Sequence, residues 1–397
     1  MNTGALNLNN EKRTFKMDFK QYGMAFALVV IFAVFGVLSK GTNLSAMNIN
    51  NLIMQNSYVV ILATGMLLCI ITGNVDLSVG SIVAFTGALC AILVLDYKVP
   101  VPFAFLITLV VGLITGMWQG FFIANLGVPP FIVTLANMLI FRGLTMLILK
   151  GQTKGPLPEQ YTAVGAGFLP TIKLSFGSVQ IDVLSLLVGV VGTLLLVLSE
   201  MNSLNVKKKN NFATPPLWQT IVKLCMVAIG INFITYKLSR YNGLPTVLLI
   251  LLIIIILYSF VTTRMVVGRQ IYAVGGNEKA AKLAGIKTKR VMFWVYANMG
   301  LLSALAGIVL SARNASATPK AGDGFELDAI ASCYIGGASA YGGTGSLIGA
   351  VVGAMIMGIL NNGMSIIGWS VDLQKIVKGL VLLGAVTIDL LSKRKKS

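Results

Sequence analysis

Twelve apolar runs, most of them near the length needed to cross a bilayer, set the terms for everything else in this chain. In order they are 22–39, 57–73, 76–96, 101–126, 129–150, 182–199, 220–239, 244–263, 291–312, 326–341, 345–362 and 373–391. A hydrocarbon core of about 30 Å takes roughly 20 helical residues, and in lipid each backbone amide must find its partner within the protein. The expected fold is therefore an all-α integral membrane protein with about 12 transmembrane helices. A water-facing globule is excluded, because charged residues make up only 11% of the 397, against roughly 25% in soluble domains. The first apolar run is long and lacks a small-residue cleavage site, so it is expected to stay as a span.

The net charge of +18 is distributed as a topology signal rather than a nucleic-acid patch. With the N-terminus in the cytoplasm, Lys12, Arg13, Lys16 and Lys20 fall inside, and so do Lys207, Lys208 and Lys209. The same choice places Arg264, Arg269, Lys279, Lys282, Lys287, Lys289, Arg290 and the tail Lys393, Arg394, Lys395 and Lys396 inside. The other face receives only scattered cations, such as Lys40, Lys98, Lys154, Arg313 and Lys320. The positive-inside rule then makes both termini cytoplasmic. Residues 1–21 form a cytoplasmic segment, 22–391 the membrane domain and 392–397 a basic tail.

Several chemistries drop out early. The chain contains no histidine, which removes the commonest general base and metal ligand. Cys69, Cys90, Cys225 and Cys333 lie in apolar runs without CxxC spacing and are expected to be buried packing thiols. No metal site, no cofactor and no catalytic constellation are expected. The glycine-rich run GGASAYGGTGS at 336–346 lacks the Gly-Lys-Ser/Thr ending of a phosphate loop. It reads as a tight turn between two closely packed spans. The loop 151–181 is the longest on the outer side and reads as a cap, and 200–219 as a polar inner loop.

A weak internal repeat runs through the chain. Gly112, Gly116 and Asn125 recur at a constant offset as Gly349, Gly353 and Asn362, and Arg142-Gly143 recurs one residue out of register as Lys378-Gly379. Asp76-Leu77 and Glu326-Leu327 stand at the heads of the corresponding spans. One reading is an inverted repeat of the kind found in alternating-access transporters; the other is close helix packing through small residues such as Gly112, Gly116 and Gly120.

One polar stretch interrupts the apolar pattern, GGNEKAAKLAGIKTKR at 275–290. Asn277 is a good N-cap, Glu278 suits the positive end of a helix dipole, and Gly285 is a natural stop. A helix of roughly two turns results, too short to be stable alone in water. Ala280, Leu283 and Ala284 share one face by spacing, which suits docking into a groove on another protein; the alternative is a helix lying on anionic headgroups. Within the membrane, Asp76, Ser78, Ser81, Glu326 and Asp328 are candidates for a translocation path or for structural bonds at helix heads. Arg142 and Lys378 read as snorkelling cations.

The Glu-x-Ala-Ala-x-x-x-Gly pattern carried by Glu278, Ala280, Ala281 and Gly285 resembles the cytoplasmic coupling loop of ABC importer permeases. NVDLSVGS (74–81), PFIVTLANMLIFRG (130–143), GRQIYAVGGNEKAAKLAGI (268–286), FELDAIASCYIGG (325–337) and NNGMSI (361–366) resemble the ribose, xylose and galactose branch of that family. The additional pair of spans around 182–239 resembles the longer xylose and multiple-monosaccharide permeases. The resemblance implies a bacterial inner-membrane, multi-pass permease for a monosaccharide. It also implies a second permease copy, a cytoplasmic ATPase and an extracytoplasmic sugar-binding protein as partners. The coupling loop would be 264–290, with Glu278, Ala280, Ala281, Gly285 and Ile286 as the ATPase contact. The competing class is an ion-coupled secondary transporter, which would want several carboxylates near the midplane; the acids here fall near span ends. A membrane enzyme finds no acid–base pair to work with.

Overall fold

Each of the twelve apolar runs overlaps a helix in the computed structural model, which describes residues 19–176, 179–210, 212, 214 and 216–394. Residues 1–18 of the expected segment 1–21, with Lys12, Arg13 and Lys16, and the tail residues 395–397 lie outside the described residues. The helices are α1 (Phe19–Leu38), α2 (Ala46–Ile71), α3 (Val79–Leu95), α4 (Val101–Gly120), α5 (Pro130–Leu149), α6 (Glu159–Ala166), α7 (Val183–Lys209) and α8 (Leu217–Ser239). They continue with α9 (Thr246–Arg264), α10 (Val266–Gly276), α11 (Glu278–Leu283), α12 (Thr288–Asn314), α13 (Phe325–Ile335), α14 (Leu347–Ile366) and α15 (Val371–Arg394). A π-helical turn, Phe121–Asn125, prolongs α4.

Among the described residues, eight helices are long and apolar enough to cross a membrane: α2, α4 with its π turn, α5, α7, α8, α9, α12 and α14. The remaining four expected spans differ in kind. In α1 the apolar part is Phe26–Leu38, and α3 has 17 residues. α13 has 11 residues, because Gly336 and Gly337 end it where the sequence suggested a span to 341. α15 carries Asp372, Lys375 and Lys378 within its first turns.

Other expectations are corrected. α2 begins at Ala46 rather than 57, taking in Asn48, Asn50 and Asn56, which are buried. Ser45 caps it by accepting from the Asn48 amide. The loop 151–181, read as a cap, holds α6 and then an antiparallel hairpin, β1 (Lys173–Phe176) with β2 (Val179–Asp182). Its earlier part covers the end of α12, tied there by the Tyr161–Ser311 hydroxyl pair at 2.8 Å and by the Lys154–Ala317 bridge. The polar loop expected at 200–219 is shorter, since α7 runs on to Lys209. Cys225 is exposed, while Cys69, Cys90 and Cys333 are buried.

Two helices form the axis. α2 packs on α13 and α14, and α12 packs on α3 and α4, while α3 meets α5 and α13 meets α15. Glycines set these distances. A Cβ at Gly112 or Gly116 would strike Gly300, Ala304, Tyr296 or Ala297 of α12, and one at Gly349 or Gly353 would strike Gly336 or Ser332 at the end of α13. Close backbone approach of this kind is how helices associate in lipid, where no hydrophobic force draws them together.

The ends of the axial helices lie on opposite faces. The Ile71 carbonyl at the end of α2 accepts from the Gly343 amide at 2.8 Å, beside α10. α12 starts on that same face, directly after α11, and ends on the other, where Ala317 pairs with Lys154.

Candidate functional site

Two regions concentrate the unusual chemistry. The first is the face carrying α10 and α11. Asn277 Oδ1 accepts from the Ala280 amide at 3.0 Å and starts α11, and Gly285 stops it at φ +84°. Of the residues expected at this contact, Glu278, Ala280 and Gly285 face outward, and so does Leu283 at 91% exposure. Ala281 is 5% exposed and, with Ile286, packs onto the chain's own core. The spacing rule grouped Leu283 with the docking face, but nothing in the sequence showed that Ala281 turns inward. Replacing Asn277 with alanine is expected to raise hydrogen exchange of the 279–282 amides about 5-fold, as for the loss of ~1 kcal/mol of N-cap energy.

α10 joins this helix to the spans. Ile271 and Val274 are buried, and Tyr272 donates to the Gly345 carbonyl at 2.8 Å. Burial pushes the Tyr272 hydroxyl up from its ordinary range. At the end of α10, Gly275 lies against the Ile71 carbonyl and the Gly343 amide, with no room for a Cβ. The glycine-rich turn 336–346 is therefore more than a connection. Gly337, Gly342 and Gly343 adopt left-handed φ of +83°, +80° and +74°, which fits the turn between α10 and the end of α2.

The second region is polar and lies inside the bundle. α13 rises about 16 Å at 1.5 Å per residue, half a hydrocarbon core, and its last turn is on the α10 face. Its head is thus interior, and the segment 315–324 runs inward from the opposite face to reach it. There it meets the head of α3: a Cβ at Gly80 would strike the Gly322 carbonyl and the Glu326 carboxylate, and one at Gly322 the Gly80 carbonyl.

The expected intramembrane residues divide between these two heads. Asp76, in the non-helical stretch before α3, is fully buried; its Oδ1 accepts from the Ser78 amide at 2.9 Å, the Ser78 hydroxyl at 2.6 Å and Gln119 Nε2 at 3.4 Å. Gln119 also donates to Ser78. Asp76 Oδ2, Gln119 Oε1, Ser81 Oγ and the Tyr296 hydroxyl are buried without a partner among the described groups. Asp328, on the first turn of α13, is 1% exposed, and its carboxylate lies 3.0 Å from Lys378 Nζ and 3.4 Å from Asn361 Nδ2. Glu326 lies between the two heads, beside Gly80.

Both cations read as snorkelling depart from that expectation. Arg142 on α5 donates to the carbonyls of Pro319 and Ala321, at 3.1 and 2.6 Å, and Lys378 on α15 pairs with Asp328. Lys375 pairs with Asp323 at 2.9 Å. The segment 319–328 is thus gripped from two helices. Gln119 and Asn361 are site residues that sequence reasoning did not name, although Asn361 lies in the NNGMSI stretch. Lys378 is marked by the repeat but reads in sequence as a snorkelling cation rather than as the partner of Asp328.

Residues 48–386 match the profile of the family described as branched-chain amino acid transport system / permease component. The chain is 38% identical over 379 residues to the xylose transport system permease protein of Haemophilus influenzae, covering 96% of this chain and 98% of that protein. The same identity holds for the xylose transport system permease protein of Escherichia coli, over 96% and 94%. The ribose import permease protein of Bacillus subtilis is 31% identical over 397 residues, 100% of both chains. No solved structure matches.

Proposed function

The chain belongs to the permease-component family of the branched-chain amino acid transport system, and is similar to its xylose and ribose permeases over nearly its whole length; from this we propose that it is the membrane-spanning subunit of an ATP-driven sugar importer. It works in the bacterial inner membrane as one of two copies, with a separate cytoplasmic ATPase and an extracytoplasmic sugar-binding protein. Xylose or a related monosaccharide is the cargo.

One observation carries the coupling part of this reading. The outward face of α11 offers a 91% exposed leucine, Leu283, on a helix joined through Gly275 to the end of α2. An apolar side chain so exposed on a short capped helix is suited to a groove in a partner. The α10–α11 face is then cytoplasmic, as the positive-inside argument also requires, and both termini lie on that side.

The exchange of packing partners supports the repeat reading. α2 takes α13 and α14 where α12 takes α3 and α4, and the two axial helices end on opposite faces. Two four-helix units, α2–α5 and α12–α15, thus stand as an inverted repeat whose short helices α3 and α13 meet head to head. Closure of the ATPase dimer pushes on α11, and Gly275 passes the displacement to the non-helical stretches that hold those heads.

The test is reconstitution. The permease alone in vesicles is expected to move no sugar, and the permease with its ATPase and sugar-binding protein to accumulate it on ATP addition. Uphill uptake by the lone chain, driven by a proton or sodium gradient, would instead establish the ion-coupled alternative.

A further inference from the structure

We propose that Asp328, Asn361 and Lys378 form a hydroxyl-binding row for the translocated sugar, an inference that rests on the permease reading. α15 supplies the first reason. It is too charged to count among the apolar helices, yet it has a lipid-compatible side in exposed Leu373, Ile376, Leu380 and Leu383. Its other side carries Gln374, Lys375 and Lys378, which share a face by their three-and-four spacing. Gln374 bonds to Ser365 and the Trp369 carbonyl and Lys375 to Asp323, both at the exposed end of the helix, while Lys378 reaches the buried Asp328. A helix apolar toward lipid and polar toward its neighbours is what the wall of an aqueous path needs.

The chemistry of the row selects the ligand. Asp328 and Lys378, 3.0 Å apart, neutralise each other, so the site has no net attraction for an ion. Asn361 Nδ2 already donates to Asp328, while Asn361 Oδ1 is buried with no partner among the described residues. A buried polar atom left unpaired costs free energy, and here it lies beside an ammonium with donors to spare and a carboxylate with free lone pairs. Alternating donors and acceptors of zero net charge fit a neutral polyol, whose hydroxyls each donate and accept. Lys378 is the movable member, since its side chain is 21% exposed against 1% for Asp328. A sugar hydroxyl that takes its place on Asp328 leaves no charge without a hydrogen bond.

Three variants test this in proteoliposomes holding the permease with its ATPase and sugar-binding protein: Asp328→Asn, Lys378→Gln and the two combined. Lys378→Gln alone strands a buried acid and is expected to lower the yield of assembled complex, whereas removing both charges restores it. Despite normal assembly, the double variant is expected to import xylose about 10-fold more slowly, the scale of a lost charge-assisted hydrogen bond. Its rates for single-deoxy analogues, each presented on saturating binding protein, should fall unequally. Wild-type uptake by the double variant would show that the pair is only a structural ion pair and overturn the proposal. An equal proportional loss for every analogue would overturn it as well. Neither result touches the parent reading, which fails if the lone wild-type chain accumulates sugar on an ion gradient or retains no ATPase.

Discussion

Alanine at position 275 is expected to abolish sugar uptake while the ATPase still binds, and alanine at 276 to leave uptake unchanged. The two glycines are adjacent, yet a Cβ on Gly275 would collide with the Ile71 carbonyl and the Gly343 amide, whereas a Cβ on Gly276 meets nothing within 4 Å. Overpacking in a well-packed interior costs about 1–3 kcal/mol even where side chains can yield, and here both obstacles are backbone. The least costly relief is for α10 to lift away from the end of α2. That breaks the link between α11 and the spans and leaves the outward face of α11 intact. The two readouts are ATP-driven uptake and ATPase retention in the same preparation. Normal uptake by Gly275→Ala would mean that work enters the spans by another route.

The second large effect is expected at Leu283. Leu283→Asp should weaken ATPase binding at least ~100-fold, from the ~1.5–3 kcal/mol lost with a buried leucine together with the cost of desolvating a carboxylate. Titration of the ATPase onto permease held in lipid nanodiscs measures it. Lys279→Gln, also exposed on α11, serves as the control for charge alone. Binding within 2-fold of wild type for Leu283→Asp would exclude this face as the contact. A crosslink from position 283 or 280 is expected to form readily, and one from 281 to fail, because Ala281 is 5% exposed and turned toward the core.

Where sequence reasoning succeeded, local chemistry was sufficient. Asn277, Glu278 and Gly285 delimit α11 through capping and a left-handed stop, and the structure begins and ends the helix between them. Where it fell short, the deciding contacts were distant along the chain. The run expected at 57–73 left out the first turns of α2, where Asn48 exchanges hydrogen bonds with Asn362 at 3.0 and 3.1 Å and Asn56 donates to the Ala354 carbonyl at 2.8 Å. Lys378 looked like a snorkelling cation until Asp328, fifty residues earlier, was placed beside it. Gln119 carried no signal at all before Asp76 and Ser78 came within reach.

Apolar run length and the scarcity of charge by themselves determined that this chain is a helical membrane protein, because lipid leaves the backbone few alternatives. Its stop and cap residues also located the small polar helix. Only the tertiary structure decided which side of that helix is free, that α13 is a half-length helix meeting the head of α3, and that the cations on α5 and α15 turn inward. Those outcomes depend on which backbones come close enough to exclude a Cβ and which buried polar atoms find partners. Such contacts join residues far apart in the chain, and no local pattern encodes them.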